Sequence, residues 1–93
     1  MADSIVQKHK CCYVCGTTKG LHKHHIFYGR ANRKLSEKHG CWCWLCGMHH
    51  NLSKEGVHFN KYLDNRLKEE AQARFELTHS REEFMKIFGR NYL

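Results

Sequence analysis

Residues 41–51 read CWCWLCGMHHN, so three cysteines and two histidines share eleven positions with two tryptophans. Upstream, CCYVCG at 11–16 holds three further cysteines and LHKHHIF at 21–27 three further histidines. Thiolate and imidazole are donors that zinc favours. A tetrahedral site typically takes two ligands from each of two close-spaced pairs, because a two-residue gap lets both side chains turn onto one ion. Cys12 and Cys15 make the first pair, with Gly16 relaxing the turn behind them, while Cys11 has the wrong spacing and reads as a spare thiol. The second pair parses in two ways. Cys43 with Cys46 encloses Trp44 and Leu45 and leaves His49 and His50 idle; Cys46 with His49 puts Gly47 in the turn and keeps the preceding strand intact. Local chemistry leans to the second parse without closing the question. In that parse Cys41 and Cys43 alternate with Trp42 and Trp44 across a strand, all as packing residues, the tryptophans in the core.

The elements that must hold these donors are read from periodicity and caps. In FNKYLDNRLKEEAQARFEL (59–77), Phe59, Leu63, Leu67, Ala71 and Phe75 recur every four residues beside Tyr62 and Arg74, which predicts a helix with a core-facing stripe. Ser80 with Glu83 three places on predicts a capped second helix that buries Phe84, Ile87 and Phe88 and stops at Gly89. LHKHHIF and CWCWL are short and rich in β-formers, and predict two antiparallel strands. The intervening YGRANRKLSEKHG reads as a solvated loop, with a short helical turn over Asn32–Lys38, and a helix is expected to begin near His49. Without proline or a low-complexity tract, the chain reads as one domain over residues 1–93. Residues 1–10 are expected to be flexible, 11–58 to carry the metal-binding motif, and 59–93 to form a helical extension, an α+β class.

Ninety-three residues give a marginal hydrophobic core, so a staple is expected. Sixteen Lys and Arg against nine acidic residues give a formal charge of +7 and a pI near 9.3, which favours a polyanionic partner, nucleic acid first. MADSIVQKHK lacks the apolar run of a signal peptide, and nothing approaches the roughly 18 apolar residues of a membrane span. The expectation is a cytoplasmic protein with no membrane association. In that reducing compartment six cysteines beside nine histidines favour metal ligation over three disulfides.

A CxxC knuckle, a strand ending in a histidine pair, a loop, a second strand and then LCGMHHN opening a helix together resemble the HNH endonucleases of the ββα-metal type, including small phage and mobile-element versions. The resemblance covers roughly residues 11–58 and implies a small zinc-stapled, treble-clef-like core followed by C-terminal helices. In that family the residue after the last zinc ligand binds the catalytic ion. This implies a structural zinc on Cys12, Cys15, Cys46 and His49, with His50 as an ion ligand. The first-strand pair maps onto His24, an ion ligand, and His25, the general base. An imidazole titrating near 6.5 is poised to accept a proton from water at neutral pH. The implied reaction is hydrolysis of DNA phosphodiester bonds with a 5′-phosphate product. The ion would stabilise the leaving oxygen, and Arg30, Arg33, Lys34 and Lys38 would hold flanking phosphates.

Three departures from the family pattern bear on the site. His24 stands where aspartate is commoner, which leaves magnesium, manganese, nickel and zinc all open as the catalytic ion. No asparagine precedes CWCWL, so Asn32 in the loop is the expected orienter of His25, ahead of Asn51. His58, eight residues after His50, either joins the ion through a break at Gly56 or is a polar residue beginning the long helix. His22 is expected at the surface or behind the ligands, and His9, His39 and His79 in solvent. Tyr28 is either a substrate contact or a packing residue. Two other classes stand beside the nuclease: a non-catalytic zinc-stapled nucleic-acid-binding module and a protein-interaction module. Weak sequence specificity is expected of so short a chain, to be sharpened by a homodimer, through Phe59, Tyr62 and FGRNYL, or by an accessory phage or host protein.

Overall fold

The two β-forming segments pair as the alternation of their residues requires. The computed structural model describes residues 3–50, 56–57 and 60–93. In it β1 (Leu21–His25) runs antiparallel to β2 (Trp42–Cys46), from Leu21 opposite Cys46 to His25 opposite Trp42. Directly opposed residues share a face. His22, His24, Cys43 and Leu45 therefore lie on one side of the sheet, and Lys23, His25, Trp42 and Trp44 on the other. Cys43 and Leu45 are wholly buried, which marks the first side as the inward one. Trp42 and Trp44 do not join the core as expected. They are half-buried on the opposite side, where Lys23 Nζ lies 4.2 Å over the Trp42 ring and Lys10 Nζ 4.7 Å over that of Trp44.

Residues 30–39 correct the loop reading. They form a full helix, α1 (Arg30–His39), closed by Gly40 at φ +74°, whose amide donates to the Ser36 carbonyl. Gly29 and Gly40 are the helix's two ends rather than marks of a loop, and the residues between them are mostly good helix formers. Ser36, fully buried, locks α1 to the sheet. Its Oγ donates to the Phe27 carbonyl at 2.7 Å and accepts the Phe27 amide at 3.1 Å.

The N-terminal segment, expected to be loose, packs along the outer edge of β2 over residues 3–10. Ser4 Oγ donates to the Trp42 carbonyl, Gln7 Oε1 accepts the Trp44 amide at 2.8 Å, and the Ile5 amide donates to the Gly40 carbonyl at 2.9 Å. A Cβ at Gly40 would collide with the Asp3 carbonyl, so glycine is required there for the approach as well as for its φ. Unpaired donors and acceptors on a sheet edge need partners, and polar side chains supply them here, which is why the polar composition concealed the contact.

β2 runs directly into α2 (Gly47–His50). The long helix α3 (Lys61–Phe75) starts under Asn60, whose side chain accepts the Leu63 amide, and buries Leu67, Ala71 and Phe75 as its stripe predicts. Phe59 lies outside the described residues, and Tyr62 is 75 % exposed. Ser80 and Glu83 form the expected reciprocal box at the start of α4 (Arg81–Phe88), and Gly89 closes it at φ +75°. Phe27 joins the layers, with ring centroids 5.3 Å from Phe84, 4.5 Å from Phe88 and 5.2 Å from Tyr92. The tail is held by buried Gln72, which accepts the Tyr92 amide at 2.7 Å and donates to Asn91. Tyr92 thus packs on its own chain's core. No helix among the described residues is long and apolar enough to cross a membrane.

Replacing Ser36 by alanine leaves the Phe27 amide and carbonyl buried without their partner. Ser36→Ala is expected to cost about 1–3 kcal/mol in urea unfolding; a change within about 0.5 kcal/mol would show that the clamp contributes nothing.

Candidate metal centre and histidine site

Cys12, Cys15, Cys46 and His49 bring one donor atom each to within 4.8 Å of one another, the one such group among the described residues. Cys15 Sγ lies 3.8 Å from Cys46 Sγ, and His49 Nδ1 lies 3.2 Å from Cys46 Sγ and 3.7 Å from Cys12 Sγ. Around a tetrahedral zinc with ordinary bond lengths, sulfur–sulfur edges are about 3.8 Å and sulfur–nitrogen edges about 3.5 Å. The four residues could hold a metal ion, and the donor set and spacing suit zinc.

The electrostatics of the group agree. Burial opposes the Cys12 thiolate, but the amides of Cys15, Cys46 and Val14 outweigh it and bring the thiol down to about 6. At Cys15 the Thr17 amide favours the thiolate, whereas desolvation and the adjacent Cys12 and Cys46 sulfurs push the thiol up. Such crowding of sulfurs is what a central cation relieves. Cys41 and Cys43 lie apart from the group. Burial pushes both up to about 12, and at Cys43 the Cys12 thiolate adds to the effect. The structure therefore decides the parse left open by local spacing, with Cys46 and His49 in the group and Cys43 in the core.

The next residue along the chain, His50, turns the other way. Its Nδ1 stands 3.0 Å from His22 Nδ1, and its ring centroid 5.4 Å from that of His24. His24 is buried at 2 % exposure. A cavity of about 390 Å³ opens beside β1, lined by His24, His25 and His50 together with Lys23, Tyr28, Gly29, Arg30 and Arg33. His25 reaches it from the opposite face of the strand and also borders a second hollow with Arg30, Arg33, Lys34 and Glu37. Lys38 is exposed on α1 and lines neither.

One neighbour of the histidines was missed by the reading of the sequence. His25 Nε2 lies 3.2 Å from Glu37 Oε1, so its partner on α1 is Glu37, in the place expected for Asn32, which is half-buried on the same helix. The hydrogen bond from His25, and then the ammonium of Lys23, hold the Glu37 carboxyl below its usual range. Read as a helix, α1 would have revealed this, since Arg30, Arg33, Lys34 and Glu37 follow the i, i+3, i+4, i+7 spacing of one face. His22, expected at the surface or behind the ligands, shares the inward strand face with His24 and meets His50. Tyr28 is fixed at the rim, its hydroxyl donating to Asp64 at 3.1 Å and its ring lying under Lys68 Nζ at 4.4 Å. His39, expected in solvent, is half-buried against Phe75 and Phe88, and burial pulls its pKa down. His58 and Asn51 lie outside the described residues. Comparisons with protein-family models, curated proteins and solved structures give no match.

Cys46→Ala is expected to lose the zinc that survives dialysis, and with it much of the folded far-UV signal, because the binding energy of a structural site is folding energy. Cys43→Ala should keep that zinc. Metal analysis of these variants and of His49→Ala checks the assignment: His49→Ala should lose the zinc, whereas its loss from Cys43→Ala with retention in His49→Ala would move the site to the paired-cysteine parse.

Proposed function

We propose that the chain is a metal-dependent endonuclease of the HNH, ββα-metal type that hydrolyses DNA phosphodiester bonds. The observation that carries this reading is the meeting of His25, His24 and His50 at one cavity whose rim bears Arg30 and Arg33. A structural staple alone needs none of these three histidines, and a basic surface alone does not need them together.

The chain's own groups divide the work as follows. Glu37 can only accept from His25, so Nε2 carries the hydrogen and the lone pair falls on Nδ1. Nδ1 then takes a proton from water as the oxygen attacks phosphorus, and the Glu37 carboxylate steadies the imidazolium that results. Arg30, Arg33 and Lys34 hold phosphates on either side and keep the backbone in register without reading sequence. His24 and His50 would hold a divalent ion, which when bound supplies positive charge to a non-bridging oxygen and to the departing 3′ oxygen. Cys12, Cys15, Cys46 and His49 would hold a structural zinc that takes no part in the chemistry.

Purified protein is expected to nick or linearise plasmid DNA in the presence of a suitable divalent ion. His25→Ala should lose at least about 100-fold of that activity, the usual worth of a general base, while keeping its zinc, fold and salt-dependent DNA binding. Binding without cleavage by the wild type under magnesium, manganese, nickel and zinc would replace the nuclease with a zinc-stapled binding module.

A further inference from the structure

The histidines of LHKHH are spaced so that His22 and His24 fall on one face of β1 while His25 falls on the other. Nothing in the proposed chemistry requires His22, yet its Nδ1 meets Nδ1 of His50 at 3.0 Å, with ring planes 83° apart. Two ring nitrogens reach that separation when one donates a hydrogen to the other, or when both lone pairs face the same cation. Adjacent nitrogens at right angles around an ion with metal–nitrogen bonds of about 2.1 Å stand about 3.0 Å apart. The His24 ring lies on the same side of the sheet, its centroid 5.4 Å from that of His50.

The chemistry of the neighbourhood points the same way. The cavity that His24 and His50 line, with His22 behind them, is otherwise lined by His25, lysine, arginine, tyrosine and glycine, with no carboxylate among its described residues. Magnesium and calcium are held by oxygen, chiefly carboxylate, and the basic rim opposes a weakly held dication. Imidazole sets suit zinc, nickel and their neighbours, whose bonds to nitrogen are strong enough to overcome that repulsion.

We propose that His22 is a ligand of the same ion as His24 and His50, and that this imidazole set makes the site selective for nickel-like and zinc-like ions over magnesium. The proposal rests on the reading of His24 and His50 as ion ligands. The three rings do not bring their donor atoms as close together as the cysteine group does, so closing the set on one ion would require the His24 ring to turn about its side-chain bonds.

Nickel titration of the full chain, loaded beforehand with zinc at the cysteine group and followed by calorimetry, tests this without reference to cleavage. The wild type is expected to bind a further equivalent of nickel that millimolar magnesium does not displace. His22→Ala and the more conservative His22→Gln should each weaken nickel at least about 10-fold, the lower end of what even an indirect partner of a metal site contributes. Retained zinc and an unchanged far-UV spectrum exclude misfolding. If both variants bind nickel as tightly as the wild type while His24→Ala and His50→Ala lose it, His22 is no ligand, though the ion site stands. Displacement of nickel by magnesium overturns the selectivity. If the wild type takes up no ion beyond the zinc, the assignment of His24 and His50 falls as well.

Discussion

The arrangement of this molecule depends on Cys46 and His49 being held in one place. Cys46 ends β2 and His49 lies in the first turn of α2, so fixing both donors beside Cys12 and Cys15 sets the angle at which the strand gives way to the helix. His50 follows His49 directly, and on a helix one residue turns by about 100°. A constraint on His49 is therefore a constraint on the direction of His50, which is sent toward His22 and His24 rather than toward the cysteines. In a chain of 93 residues, whose core is modest, a metal at this point would position the histidine site at the same time as it stabilises the fold.

The second constraint is the pleat of β1. Alternation puts His24 and His25 on opposite faces, and the cavity beside the strand is lined by both. An edge position makes this geometry available, because β1 has β2 on one side only, while the outer edge of β2 is taken by the N-terminal segment. The Ser36 clamp on Phe27 then sets α1 against the end of β1, and that placement brings Glu37 to His25 and Arg30 and Arg33 to the rim. The two histidines of the pair thus meet different surroundings, one buried beside other imidazoles and one held by a carboxylate.

Much of this was legible wherever residue type and spacing act locally. The cysteine pair, the two strands, the Ser80 and Glu83 box and the stripe of Leu67, Ala71 and Phe75 all follow from short-range rules, and the structure contains each of them. The choice between Cys43 and His49 was not local, since it depends on Cys43 facing the core while Cys46 faces Cys12 and Cys15. Gly29 and Gly40 pointed to a loop because glycine marks helix ends and loops alike, and with α1 unread its partner for His25 could not be seen. For His22, the face it shares with His24 leaves a place at the surface or behind the ligands; the approach of α2 decides between them by bringing His50 to it. The N-terminal segment lacks apolar periodicity and docks through hydrogen bonds to backbone groups that no sequence pattern identifies.

The distribution of charge bears on the proposed substrate. Among the described residues lining the two hollows beside β1, Glu37 is the one acid, and it is engaged by Lys23 and His25. Its negative charge is therefore spent on orienting one imidazole and does not offset Arg30, Arg33 and Lys34. A neutral substrate would leave that positive rim uncompensated, whereas a phosphodiester brings charge along its whole length and releases counterions as it binds. The same imbalance bears on the ion. With no carboxylate among the described residues lining the cavity of His24 and His50, an ion held there would keep most of its positive charge, so it would draw more strongly on a phosphate oxygen than one already neutralised by aspartate. A weakly neutralised ion and a basic rim would both gain most from a polyanion, and that shared preference would join the proposed ion site of the histidines to the surface charge of α1.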